Sequence, residues 1–199
     1  MSPINWPIKL ATVTKTELER FDMITEITGK IVTLRDTTAD DLNDYRNWFK
    51  AGMEWTKWDA PWEEMSEDYA KSFIDNLSKR IQMGAQKLKT RLEIWADDTH
   101  IGWVSCYYIE INPESLAVGI SIPEMSYWGR GIGREALEMW IQYLFQSRPL
   151  EQVYCQTWSG NERMVRLALG LGFELIESDR IVQVRGKPYK KLKFEFPPA

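Results

Sequence analysis

The chain is 199 residues long, 44% hydrophobic and 27% charged, with a formal net charge of −4, the make-up of one globular domain with room for a real core. The acidic balance argues against a nucleic-acid partner, whose footprint would be basic and clustered. No apolar run approaches the length of a membrane span, and the N-terminus lacks a basic-then-apolar leader, so a cytoplasmic protein with no membrane partner is expected.

Residues 1–29 read as an N-terminal extension packed on a domain covering 30–199. A first strand is predicted at 31–34. Thr38 then caps a helix with Leu42, Tyr45 and Phe49 inward, stopped by Gly52. Ser66 caps a second helix with Tyr69, Phe73, Leu77 and Ile81 inward and Gly84 at its end. Strands follow at 92–95, 101–109 and 116–122, the first two joined through Asp97-Asp98. Cys106 and the later Cys155 lie in apolar strand-like runs and read as buried, inert thiols. His100, the one histidine, sits beside the tight turn and reads as solvated rather than catalytic.

The run Trp128-Gly-Arg-Gly-Ile-Gly133 comes next, and a long amphipathic helix follows it. Ala136, Leu137, Trp140, Ile141 and Leu144 form its apolar face; Glu135, Glu138, Gln142 and Gln146 form its wet one. Glycines permit a sharp turn and close ligand approach, a helix start offers unpaired N–H groups, and Arg130 and Arg134 add charge. These features describe a diphosphate cradle. Gly131-x-Gly133-x-x-Ala136 also satisfies the dinucleotide pattern G-x-G-x-x-G/A. That motif belongs after the first strand of repeated βαβ units, whereas this turn lies two-thirds along the chain. No Gly-Lys-Ser/Thr follows, which excludes a P-loop. A strand at 153–157 comes next, then a helix at 161–171 with a Ser159–Glu162 capping box and a Gly172-Phe173 stop, then strands at 181–184 and 192–196.

The glycine run resembles the acetyl-CoA motif of the GNAT N-acetyltransferases, Gln/Arg-x-x-Gly-x-Gly/Ala between a strand and a helix. Gly131 and Gly133 match its glycines. Trp128 stands at the Gln/Arg position, a departure shared with the ribosomal-protein and aminoglycoside acetylating branches. Asn161 and Gly172-Phe173 lie where that family shows N-x-x-S…G-F, and the likeness is specific over residues 118–173. It implies a single α/β (α+β) domain, a mixed, mostly antiparallel sheet with flanking helices, and acetyl-CoA as co-substrate without a metal. It further implies cofactor contacts from Ile120, Ser121, Ile122, Gly129, Arg130, Gly131, Ile132, Gly133, Arg134 and Asn161, with Asn161 on the pantetheine arm. A β-bulge within 119–122 would free backbone donors for the thioester carbonyl. Met164 stands where many members have serine, and Ala168 where many have the tyrosine that protonates the departing thiolate.

In that family the segment between the first two helices walls the acceptor site. Here it holds Trp55, Trp58 and Trp62 among Glu54, Asp59, Glu63, Glu64, Glu67 and Asp68. Indole faces attract cations and carboxylates concentrate them, so the expected acceptor is a cationic small molecule, such as an aminoglycoside or polyamine, or a peptide N-terminus. Asp59 is the leading candidate base, with Glu54 the other, and Ser121 or Tyr127 is the hydroxyl that would help sulfur leave; the alternative is positioning alone, with solvent handling both protons. A homodimer is compatible with this reading. The rival from another class is a non-catalytic acyl-CoA sensor or partner protein, favoured by alanine at position 168.

Overall fold

The computed structural model describes residues 26–50, 53–59, 61–62, 65–84, 88–109 and 114–197. Nine strands are present among them: β1 Glu26–Thr28, β2 Thr33–Arg35, β3 Arg91–Ala96, β4 Thr99–Tyr108, β5 Ser115–Ser121, β6 Gln152–Trp158, β7 Glu174–Glu177, β8 Ile181–Val184 and β9 Lys187–Phe196. The helices are α1 Leu42–Trp48, α2 Glu67–Gln82, α3 Ile132–Ser147 and α4 Glu162–Gly170. The sheet runs β1-β2-β3-β4-β5-β6-β9-β7, with β8 paired to β9. Every neighbour is antiparallel except β5 and β6, which run parallel. This is the expected mixed α+β architecture.

Strand alternation gives the sheet two apolar faces, each with its own cover. One carries Leu92, Ile94, Val104, Leu116, Val118, Val153 and Phe194 against Ala136, Leu137, Trp140 and Leu144 of α3. The other carries Trp103 against Tyr45, Trp48 and Phe49 from the α1 region and Leu77 of α2. Each large apolar side chain fully buried in these layers contributes about 1.5–3 kcal/mol. Asp97 and Asp98 both adopt positive φ, 49° and 57°, which gives the β3–β4 hairpin the turn twist that matches its strands. Cys106 and Cys155 are buried as expected, and burial pushes their thiols up to about 11 and about 12.

Several local expectations are corrected. Glu26–Thr28, at the end of the expected extension, forms an edge strand paired with β2; residues 1–25 and the expected Gly52 stop lie outside the described residues. Glu135 is not merely solvated. Its carboxylate accepts from the backbone N–H of Lys30 and of Ile31, and a Cβ on Gly29 would stand 2.1 Å from Glu135 Oε1. Thr38 does not cap α1; its N–H and hydroxyl donate to Asp41 Oδ2 at 2.7 and 3.0 Å, and the helix begins at Leu42. Ser66 does cap α2, accepting from the Tyr69 N–H. Tyr69 itself is half exposed, although its ring still meets those of Phe49 and Phe73, each at 6.2 Å between centroids. The Ser159–Glu162 box is absent because Ser159 Oγ accepts from the Lys190 N–H, while Asn161 Oδ1 caps α4 through Met164 N–H at 3.1 Å. Among the described residues no helix is long and apolar enough to cross a membrane.

Candidate active site

The parallel seam between β5 and β6 pairs Ser115–Val118 with Gln152–Cys155 and then stops, although β5 continues to Ser121 and β6 to Trp158. The two strands diverge beyond that seam, leaving the β6-facing backbone edge of Gly119–Ser121 without a ladder partner. The expected bulge is not the cause, since the β4–β5 register runs unbroken from Trp103↔Ser121 to Tyr108↔Leu116. Gly102 helps instead. A Cβ there would lie 2.1 Å from Ser121 O, so only glycine lets β4 pass this close to the end of β5.

A cleft of about 1140 Å³ fills the divergence. Its floor includes Gly119, Ile120, Ser121 and Ile122, and one side is the turn that carries Gly129, Gly131 and Gly133. Gly129 and Gly131 sit at φ +76° and +82°, conformations that side-chain-bearing residues rarely adopt. Gly131 is the residue before α3, and the N–H groups that bond back to its carbonyl begin only at Arg134 and Glu135. The first-turn N–H groups therefore remain at an anion-favouring helix end. Arg134 and Asn161 line the same cleft. Two expected cofactor residues are placed differently: Ile132 is buried in the core, and the Arg130 guanidinium pairs with Asp97 at 2.7 Å while lying 5.0 Å from the Tyr127 ring centroid.

The facing wall contains Trp55, Trp58, Asp59 and Trp62, together with Tyr107, Gln156 and Trp158, which sequence reasoning did not single out. Trp55 is mainly a core residue, 4% exposed, with its indole N–H donating to Trp48 O at 2.8 Å. The Trp58 carbonyl accepts from Trp158 Nε1 and from Asn161 Nδ2, both at 2.9 Å. The Trp55–Trp62 segment is thereby tied to Asn161 at the start of α4. The indole faces expected to receive a cation are taken by the chain's own cations. Arg163 lies 4.4 Å from the Trp58 ring centroid and 4.6 Å from that of Trp128, and Lys191 Nζ lies 4.8 Å from that of Trp62. Tyr107 donates to Gln156 Oε1 at 3.2 Å, and lost solvation, with added repulsion from Cys155 and Asp59, pushes its phenol up to about 12. Met164 lines the cleft, but Ala168 is wholly buried in the α3-side core, so position 168 presents nothing to the cleft.

The expectation of a solvated His100 is overturned. The residue is 5% exposed, its Nδ1 lies 2.9 Å from Asp44 Oδ2, and its Nε2 lies 3.1 Å from Glu93 Oε2. Carboxylates only accept, so both ring nitrogens donate and the ring is an imidazolium. Burial opposes that charge, but the Glu93 hydrogen bond and the surrounding carboxylates outweigh it and raise the His100 pKa. Burial likewise opposes the Glu93 charge, yet Arg91 and His100 hold it down at about 2. Asp41, Asp44 and His100 bring ligand-type atoms within 4.8 Å of one another, but these atoms are already spent on each other and on Arg35. The network braces α1 against β3 and β4 from behind the cleft.

A protein-family model described as an acetyltransferase (GNAT) domain matches residues 32–174. No curated protein sequence matches the chain. Among solved structures, RimL, a ribosomal L7/L12 alpha-N-protein acetyltransferase in complex with coenzyme A, superposes with a TM-score of 0.68 at 13% identity, covering 86% of this chain and 97% of its own. A ribosomal-protein-S5-alanine acetyltransferase from Vibrio fischeri gives 0.65 at 19% identity over 85% and 95% of the two chains. The microcin C7 self immunity acetyltransferase MccE, in complex with acetyl-CoA and AMP, gives 0.61 at 16% over 92% and 97%. At these identities the likeness is one of fold.

Proposed function

Because this chain belongs to the GNAT acetyltransferase family, we propose that it transfers the acetyl group of acetyl-CoA to a primary amine of a small molecule or a peptide N-terminus. The observation that carries this reading is the early end of the β5–β6 seam at Val118↔Cys155, directly beside a left-handed glycine turn that opens a helix. The residues present fit the co-substrate. The backbone of 129–133 and Arg134 would hold a diphosphate, and the free edge of Gly119–Ser121 would hold the amide-rich arm and polarise a carbonyl. Asn161 is held by Met164 N–H on its Oδ1 and by Trp58 O on its Nδ2, which leaves the second Nδ2–H for a carbonyl of the arm.

Acetyl-CoA bound there supplies the acetyl group as an activated thioester. Asp59, exposed on the facing wall, takes the proton that the amine loses as the C–N bond forms, directly or through water. Ser121 offers a hydroxyl proton to the departing sulfur from the free β5 edge. Positioning supplies the larger share, since well-oriented reactants gain roughly 7–11 kcal/mol against about 10²–10⁴-fold for a placed acid or base. The test is release of free thiol from acetyl-CoA across a panel of amines, with acetyl-CoA affinity measured separately by calorimetry. Amine-dependent release is expected. Tight binding with no release to any amine would replace the enzyme by an acyl-CoA-binding module.

A further inference from the structure

The acidic surroundings of Trp55–Trp62 in the sequence suggested a cationic acceptor, but the described lining of the cleft has the opposite sign. Its acids are Asp59 and Glu177; its bases are Arg91, Arg134, Arg163, Arg166, Arg180, Lys191 and Lys193. Two of these bases are matched locally, Arg91 by Glu93 and Arg166 by Glu162. Arg134 and Arg163 belong to the first turns of α3 and α4, beside the glycine turn, and suit the phosphates of the co-substrate. That leaves the β8–β9 side. Lys191 lies over Trp62, on the acceptor segment, and the Lys191 backbone N–H donates to Arg180 O at 2.7 Å, which holds the two positions side by side. Neither Arg180 nor Lys191 has a carboxylate within 4.0 Å among the described residues. In a chain of net charge −4, cations gathered along one wall of a cleft mark where negative charge is received.

The same wall also has donors to spare. Trp58 Nε1 is buried with no hydrogen-bond partner, and a stranded N–H of this kind is costly until an oxygen reaches it. The faces of Trp58 and Trp62, which would have attracted a substrate cation, are occupied by Arg163 and Lys191. Among the described residues, an internal cation thus already lies over each of these two indoles, and Trp58 Nε1 is a donor still open to an oxygen.

Resting on the acetyl-transfer reading above, we infer that the acceptor is an amine whose molecule also carries a carboxylate or phosphate, bound by Arg180 and Lys191 with Trp62 beside it. An amino-acid-sized anion and an acidic peptide N-terminus share this chemistry. Polyamines and aminoglycosides lack it.

The experiment uses the full chain with three probes: alanyl-aspartyl-aspartate, O-phosphoethanolamine and spermidine. The ratio of kcat/KM for the better anionic probe to that for spermidine is expected to exceed ten. In the Arg180→Gln/Lys191→Gln protein that ratio should fall at least tenfold, chiefly through KM, while acetyl-CoA affinity changes by less than a factor of three. Which anionic probe is preferred separates the small molecule from the peptide. A wild-type preference for spermidine overturns the inference, and so does an equal loss of acetyl-CoA affinity in the variant, which would assign these cations to the co-substrate. Calorimetric titration of the same probes into protein saturated with coenzyme A tests the inference without turnover. Anionic probes that bind there while no amine is acetylated would support the subsite and sink the transferase reading. Anionic probes that fail to bind while spermidine is acetylated would do the reverse.

Discussion

Removing His100 would leave Glu93, with no exposure of its own, facing Asp44 and Asp41 with only Arg91, Tyr45 and Thr37 to compensate. Breaking such a buried pair typically costs about 3–5 kcal/mol, so His100→Gln should lower stability by about 3 kcal/mol near pH 6. The pH dependence follows from the two shifts. The raised His100 pKa gives a contribution complete below the unfolded value of about 6.5 and lost as pH climbs through the folded one. The lowered Glu93 pKa gives one complete above about 4.5 and lost as pH falls through about 2. Urea midpoints of wild type and variant should thus be furthest apart between those limits and converge on the alkaline side; a gap independent of pH would show that packing, not charge, holds the site. Asp59 is tested at the same scale. Asp59→Asn should reduce kcat by a modest factor, flatten the acid limb of the rate profile, and lower the Tyr107 pKa from about 12, because the Asp59 charge helps hold it there. A Tyr107 ring resonance that titrates as in wild type would separate the two groups.

At the scale of the element, the glycine turn divides into residues required for different reasons. Gly131 has a positive φ and no atom within 4 Å of an added Cβ, so its constraint is conformational; Gly133 has ordinary contacts at 3.7 Å or more and no such φ. Gly131→Val should therefore cost about 1–3 kcal/mol of stability and most of the acetyl-CoA affinity. Gly133→Ala should raise the thermal midpoint, since alanine gains about 0.8–1 kcal/mol over glycine within a helix. A destabilised Gly133→Ala protein would show that the first turn of α3 is tighter than its contacts suggest. The helices and longer strands were legible because their apolar periods run over many residues. β1 and β7 were not: β1 is only three residues long, too short for its alternation to register, and every residue of the four-residue β7 is exposed. The cap of α4 was misassigned because Ser159 and Glu162 stand at capping-box spacing, but the Ser159 hydroxyl is drawn to Lys190, a residue 31 positions away.

For the whole molecule, the cleft lining from the end of β5 and the glycine turn was legible because residues 119–122 and Gly129, Gly131, Gly133 and Arg134 lie in two short runs of sequence. The positive charge of the described lining was not. The acids of the Trp55–Asp68 stretch are neighbours in the chain, whereas Arg163, Arg180 and Lys191 come from α4, the segment before β8, and β9, and meet only because β9 inserts between β6 and β7. His100 was misread for the same reason, since its partners sit seven residues back on β3 and 56 residues back on α1.

Among the described residues, the four pairs from Ser115↔Gln152 to Val118↔Cys155 are the sole junction within the sheet between the strands before α3 and those after it. A sheet sewn together at one short seam can breathe there, and its amides should exchange with solvent sooner than those of the β3–β4 hairpin. A molecule lodged across the open end acts as a second stitch. Saturating acetyl-CoA should therefore slow deuterium uptake at 115–118 and 152–155 by more than at 91–96. By reciprocity, any substitution that loosens those four pairs should weaken acetyl-CoA binding without touching a residue that contacts it.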